Sequence, residues 1–235
     1  MKIPFYGKAV SKSGEIILSE IESRHCIKVL RHKIRDKVNV LDGRGNLYNC
    51  SIIDDNFQKC RLKINNIDFK ERNKYKLHLA VAPPKNQDRI DWLVEKLVEM
   101  GVYKLSFIFT ERTVRKKNKI DRCEKIAISA MKQSYSRYKL IIDEFNTFGD
   151  FIISVNDSQK LIPHIEKGER DMMYDQLKSS QNTCILIGPE GDFCPKEIDI
   201  ALKHKFKPVS LGDRRLRTET AAIMTSVSFN YINGY

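Results

Sequence analysis

A layered α/β fold with a mainly parallel sheet, preceded by a small β-rich domain, is predicted by three features of the sequence. From residue 77 onward, short apolar runs such as Leu77 to Ala82 and Cys184 to Ile187 alternate with segments of helical apolar spacing. That order builds a parallel sheet with helices on its faces. Before residue 70 the apolar residues instead alternate singly on either side of an Asp42-Gly43 turn, which is a hairpin signal. Between the two stretches, Lys70-Glu71-Arg72-Asn73-Lys74 carries no apolar residue and reads as a linker. The predicted organisation is a β-barrel or sandwich over 1–70, a linker over 71–76 and an α/β domain over 77–235.

Each element has its own signal. Ser19 opens the one helix expected in the first domain, around Glu20 to Leu30, because a serine oxygen caps free amides. Residues 37–41, 47–53 and 60–67 alternate and are expected as strands. In the second domain, Pro83-Pro84 stops the strand at 77–82. Ile90, Leu93, Val94, Leu97 and Val98 then fall on one helical face, with Gly101 as the stop. A strand at 105–109 and a helix at 121–133 follow. Further strands are expected at 139–142, 160–163, 183–187 and 208–211. Pro195 suits the first turn of a helix reaching His204, and a last helix runs from about Thr218 to Tyr231.

Composition narrows the partners. Lysine and arginine number 42 against 30 acidic residues, a net charge of +12, and the pI is near 9.4. A polyanion is the partner such a balance points to, most often nucleic acid. Residues 1–75 hold 16 basic and 9 acidic side chains, more than half of that excess. No apolar run approaches the length of a membrane helix, and the first residues lack the apolar core of a secretory signal. A cytoplasmic protein with no membrane partner is expected. The cysteines at 26, 50, 60, 123, 184 and 194 form no C-x-x-C pair, so neither a metal site nor a disulfide framework is expected.

In open α/β sheets ligands bind beyond the carboxyl ends of the strands, and three such ends carry unusual residues. One is Thr110-Glu111-Arg112-Thr113. The second is the glycine loop Gly188-Pro189-Glu190-Gly191-Asp192, directly after Ile187. The third runs from Leu211 and Gly212 through Asp213-Arg214-Arg215-Leu216-Arg217 to Thr218 and Glu219. The glycine loop lacks the Gly-Lys-Ser/Thr of a P-loop and the G-x-G-x-x-G of a dinucleotide fold. Two glycine loops can instead offer backbone donors and acceptors to a nucleotide-like ligand. Arg214, Arg215 and Arg217 beside them suit phosphate or carboxylate recognition. The basic run from Arg112 to Lys125, including Arg115, Lys116 and Lys117, is either a solvated face or an RNA-phosphate surface.

These segments together resemble a known family. The strings ILIGPEGDFCPKEIDIAL, VSLGDRRLRTETAA, DRIDWLVEKLVEMGV and TERTVRKK, with VLRHKIRDKVNVLDGRG near the start, are similar to the RsmE family. These are 16S rRNA uridine N(3)-methyltransferases of the SPOUT class. The likeness spans essentially the whole chain, and LRTETAA over 216–222 is its most specific element. It implies a PUA-like barrel at the amino end and a SPOUT-type α/β domain with a carboxyl-terminal trefoil knot. It also implies a homodimer, S-adenosylmethionine as methyl donor without metal, and 16S rRNA, within the assembled small ribosomal subunit, as partner. Two departures stand out. Asp192 replaces a glycine common in the family, at a position where aspartate tolerates positive φ better than most residues. Arg137 lies one place later than the family's arginine after its Gln-Ser pair.

The resemblance assigns the residues as follows. Thr110, Ile187, Gly188, Glu190, Gly191, Leu211, Gly212, Leu216 and Thr218 are expected to hold the cofactor. Arg31, Arg112, Arg115, Lys116, Lys117, Arg214 and Arg215 are expected on RNA. Uracil N(3)–H is a weak acid, so methyl transfer needs the proton removed and the resulting charge stabilised. Arg217 is the candidate for the charge, and Glu219 for orienting that guanidinium or taking the proton through water. Two other readings share these features: a ribose 2′-O-methyltransferase of the same class, and a non-catalytic RNA-binding assembly factor.

Overall fold

The computed structural model describes residues 3–10, 14–115, 117–165 and 170–235. The chain divides into two compact units, one of residues 1–72 with 128–139 and the other of 73–127 with 140–235.

The first unit is a six-stranded sheet. Its strands are β1 (Phe5–Tyr6), β2 (Ala9–Val10), β3 (Glu15–Ile17), β4 (Lys37–Leu41), β5 (Asn46–Asp54) and β6 (Arg61–Phe69), in the order β1-β4-β5-β6-β3-β2. Only β1–β4 is parallel. Only Gly7 and Lys8 separate the end strands β1 and β2 in the chain, so the sheet curls and its two edges come near each other. Period-two alternation sends Val38, Val40, Tyr48, Cys50, Ile52 and Leu62 inward with Phe5, Ile16 and Leu18. Helix α1 (Glu20–Arg24) starts where Ser19 accepts the Glu22 N–H at 3.3 Å, then passes into a π-helical turn over His25–Val29. Gly45 has φ +111°, and a Cβ there would lie 2.5 Å from the Tyr138 hydroxyl and 2.6 Å from the Phe69 ring. No other residue fits.

Residues 128–139 belong with this unit, not with the α/β part to which their position in the sequence assigned them. Lys139 N–H donates to the Gly43 carbonyl, Gly45 N–H to that of Arg137, and Arg137 to both the carbonyl and carboxylate of Asp68. Arg137 is thereby a structural residue.

The second unit is a seven-stranded, wholly parallel sheet. Its elements are β7 (Leu77–Val81), α2 (Gln87–Glu99), β8 (Lys104–Ile108), α3 (Ile120–Ser134, which continues into the first unit), β9 (Ile141–Phe145), α4 (Phe148–Ser154), β10 (Gln159–Pro163), β11 (Asp171–Met172), α5 (Met173–Gln176), β12 (Thr183–Ile187), α6 (Pro195–Lys203), β13 (Lys207–Ser210) and α7 (Thr218–Asn233). The strand order is β11-β13-β10-β12-β7-β8-β9. Strands β7 and β12 are buried along their whole length, as central strands covered on both faces must be. One apolar cluster joins Ala80, Ile108, Phe151, Ile162, Leu186, Phe193, Ile198 and Phe206. No helix among the described residues is long and apolar enough to cross a membrane. All six cysteines are buried and unbridged.

Candidate active site

Strands β10, β12 and β13 are neighbours, so the three loops leaving their carboxyl ends converge. They line one open cleft, with Pro163, His164, Ile165 and Arg170 after β10. Ile187, Gly188, Pro189, Glu190 and Asp192 come from β12; Ser210, Leu211, Gly212, Arg214, Arg215, Leu216 and Thr218 come from β13. The apolar wall of Ile187, Leu216 and Ala221 faces backbone groups and three guanidinium-bearing residues.

The glycine loop is tied at nearly every position. Thr218 Oγ1 donates to the Gly188 carbonyl at 3.0 Å. Lys85 N–H donates to Glu190 Oε1 at 3.2 Å, and Arg112 Nη1 to the Gly191 carbonyl at 2.7 Å. Ile165 N–H donates to Asp192 Oδ2 at 2.6 Å. Asp192 closes the turn through its own N–H to Pro189, with φ +61°, the left-handed conformation its position allowed for. A Cβ on Gly188 would come 3.0 Å from Asp192 Oδ1 and 3.2 Å from the Phe193 ring; the loop is a cradle closed to side chains there.

The structure gathers Ile187, Gly188, Glu190, Leu211, Gly212, Leu216, Thr218, Arg214 and Arg215 as expected, and leaves others out. Thr110 does not line the cleft: its hydroxyl is engaged with Thr113 Oγ1 at 2.8 Å. The physical reason is strand order, since β8 lies beyond β7 from β12, about 10 Å across two strand spacings. Gly191 also stands outside the lining, packed on the Arg112 side chain. Residues after β10 are in the cleft although the sequence reading did not single them out; among them Arg170 donates to the His164 carbonyl at 2.8 Å.

The expected Arg217–Glu219 pairing is replaced. Arg217 is the exposed N-cap residue of α7, whereas Glu219 is 7% exposed and faces Arg89, with Nε 3.7 Å from Oε1. Side chains two apart at a helix start point to different sides. Arg89 Nη1 also lies 3.9 Å from Glu190, so one guanidinium stands between the glycine loop and α7.

The basic run separates likewise. Arg112 is spent on Gly191 and Phe193 carbonyls. Arg115 donates to the carbonyls of Pro84 and Lys85 and to Gln87, which pins that turn. Lys117 is exposed beside Lys119, and Lys116 lies outside the described residues. Arg31 is an exposed residue of the first unit with φ +57°.

Away from the cleft, His78, Asp157 and Cys184 bring ligand-type atoms within 4.8 Å of one another. His78 is already placed by Ser106 Oγ at 2.7 Å and Asp157 at 3.5 Å. Burial pushes the Cys184 thiol well up, and a protonated thiol is a poor ligand.

Two family models match the chain, one on each side of residue 70. Residues 71–229 match the model of the RNA methyltransferase domain, and residues 18–65 match that of the RNA methyltransferase PUA domain. The ribosomal RNA small subunit methyltransferase E of Buchnera aphidicola is 31% identical over 91% of this chain and 87% of its own length. The chain belongs to the RsmE family of RNA methyltransferases. Another RsmE relative, methyltransferase E 1 of Borreliella burgdorferi, is 30% identical over 92% of both chains. Among solved structures, a protein of Porphyromonas gingivalis assigned as an rRNA-methyltransferase superposes with a TM-score of 0.91 at 33% identity, over 99% of each chain. A Legionella pneumophila protein assigned as a methyltransferase, in complex with the bound cofactor SAM, gives a TM-score of 0.88 at 26% identity, over 99% and 98%.

Proposed function

We propose that the chain transfers a methyl group from S-adenosylmethionine to N(3) of a uridine in 16S rRNA of the small ribosomal subunit. The observation that carries the reading is the cleft built by the loops after β10, β12 and β13, in a chain whose family is that of RNA methyltransferases. Its residues fit the cofactor: the closed cradle at Gly188 admits only backbone approach, and Leu211, Gly212 and Leu216 add backbone polar groups and an apolar wall for a purine. When bound, S-adenosylmethionine supplies a methyl group on a sulfonium, whose departure leaves a neutral thioether. Arg214 and Arg215 face the same cleft and receive phosphate, while exposed Arg217 stabilises the negative charge spread over the uracil carbonyls as the N(3) proton leaves. Glu219, held by Arg89, takes that proton through water.

In this reading the first unit grips RNA backbone through its lysines and arginines, Arg31 among them. The carboxyl-terminal part carries a trefoil knot, and the protein is a cytoplasmic homodimer acting on the assembled subunit. Met224, Val227 and Tyr231 are 40%, 50% and 88% exposed on one face of α7, which supports pairing with a second copy. Sedimentation at micromolar concentration then gives twice 27.3 kDa. Calorimetric S-adenosylmethionine binding without metal, followed by methylation of small subunits lacking the mark, tests the whole. Methyl found on a ribose oxygen by mass spectrometry refutes the N(3) assignment.

A further inference from the structure

We propose that Asp192 is a positioning residue that clasps the loop after β10 to the glycine loop and so sets the affinity for S-adenosylmethionine. The inference rests on the cofactor reading above and concerns a side chain that the LRTETAA string and the glycines do not cover.

Three observations carry it. Asp192 sits at φ +61°, where an L side chain is strained and glycine is at ease. A residue kept there against that strain has a compensating contact. The contact is visible: Oδ2 accepts the Ile165 N–H at 2.6 Å, a charge-assisted bond of the stronger kind. The second oxygen, Oδ1, lies 3.0 Å from the point a Gly188 Cβ would occupy, so the carboxylate fills the crook of the loop.

Position gives the contact its consequence. His164, Ile165, Gly188 and Asp192 all line the cleft. The loop after β10 has its own brace, from Arg170 to the His164 carbonyl at 2.8 Å. The loop after β13 is joined to the glycine loop by Thr218. The Ile165–Asp192 contact joins the start of the loop after β10 to the glycine loop. Without it the cleft wall at 164–165 has to be ordered at the moment of binding, and that ordering subtracts from affinity.

The test uses two variants that leave the backbone conformation accessible. Asp192→Gly relieves the strain and deletes the acceptor. Asp192→Asn tolerates the left-handed conformation and keeps an acceptor oxygen. In the ligand-free protein, the Ile165 amide is expected to exchange about tenfold faster in Asp192→Gly than in wild type, and at near wild-type rate in Asp192→Asn. Calorimetry is expected to show S-adenosylmethionine binding about tenfold weaker in Asp192→Gly. Its KM for the cofactor rises by the same factor while kcat stays within about twofold, and Asp192→Asn restores both. Equal affinity in wild type and Asp192→Gly overturns the proposal, as does an Asp192→Asn variant no better than glycine. A wild-type chain that takes up no S-adenosylmethionine, yet whose Ile165 exchange still depends on Asp192, overturns the cofactor reading and upholds the clasp.

Discussion

Thr218 donates its hydroxyl proton to the carbonyl oxygen of Gly188 across 3.0 Å, fastening the first residue of α7 to the first residue of the glycine loop. Both line the cleft. Thr218→Val keeps the shape and deletes the donor, leaving that carbonyl without its partner. S-adenosylmethionine binding is expected to weaken roughly tenfold, about 1.4 kcal/mol, and Thr218→Ser to recover it. Calorimetry on the three proteins decides; an unaltered Kd in the valine variant detaches the contact from binding.

Gly188→Val tests the cradle. The added carbons meet Asp192 Oδ1 and the Phe193 ring at 3.0 and 3.2 Å, so the loop must move. Binding is expected to vanish while circular dichroism still reports a folded chain. A folded valine variant with full affinity removes this loop from the site.

Arg217 is exposed and stands outside the cleft lining, free to meet a substrate base. Arg217→Ala is expected to leave cofactor binding nearly intact and slow single-turnover methylation by roughly 10²-fold. The loss shrinks as pH rises, because hydroxide then generates the uracil anion that the guanidinium no longer favours. Wild-type rates at neutral pH defeat the assignment; a loss that persists at high pH makes Arg217 a positioning group.

Neighbouring cations should behave differently on RNA. Lys117 is exposed, and Lys117→Gln is expected to reduce the slope of log affinity against log salt by about one, the signature of one phosphate contact. Arg115 spends its guanidinium on Pro84, Lys85 and Gln87. Arg115→Gln should therefore lower the melting temperature and leave the slope alone. The reverse pattern would exchange their roles.

Burial pushes the Cys50 thiol up to about 12 and that of Cys123 to about 11, from an ordinary 9.0. A group whose native pKa is raised contributes stability that is complete below the unfolded value and lost as pH climbs through the native one. Denaturant midpoints should hold to about pH 9 and decline from there toward 12. Both thiols should resist alkylation at pH 9 until the chain unfolds; rapid native-state labelling of either contradicts this.

Where periodicity is long enough to register, the sequence was a good guide. The strands at Lys37–Leu41 and Thr183–Ile187 occur as predicted, and α2, β6 and α6 differ by a few terminal residues. Strands β1, β2 and β3 have two or three residues, too few to show alternation. Helix α4 has seven, with Gly149 in its first turn, and its apolar face of Phe148, Phe151 and Ile152 is too short a run to register. Strand β9 was placed at 139–142 and lies at 141–145 because Asp143 and Glu144 look like loop. Their carboxylates are in fact satisfied by Lys104 and Asn118. In the site, two of the three strand ends singled out in the sequence, those of β12 and β13, line one cleft. The third, after β8, lies apart from that cleft, because residue types reveal which loops bear polar groups, whereas adjacency depends on strand order. Strand order is set by crossovers that no local pattern encodes.

The glycine loop, fastened through Gly188, Glu190, Gly191 and Asp192 to four different segments, has a consequence for how such a chain can diverge. A substitution at any one anchor alters the setting in which the others are judged. Pairs such as Thr218 with Asp192 should show coupling in double-mutant cycles instead of simple sums. Lineages then change this loop in concerted sets, and a residue acceptable here, such as aspartate at 192, becomes harmful when transplanted without the loop that meets it.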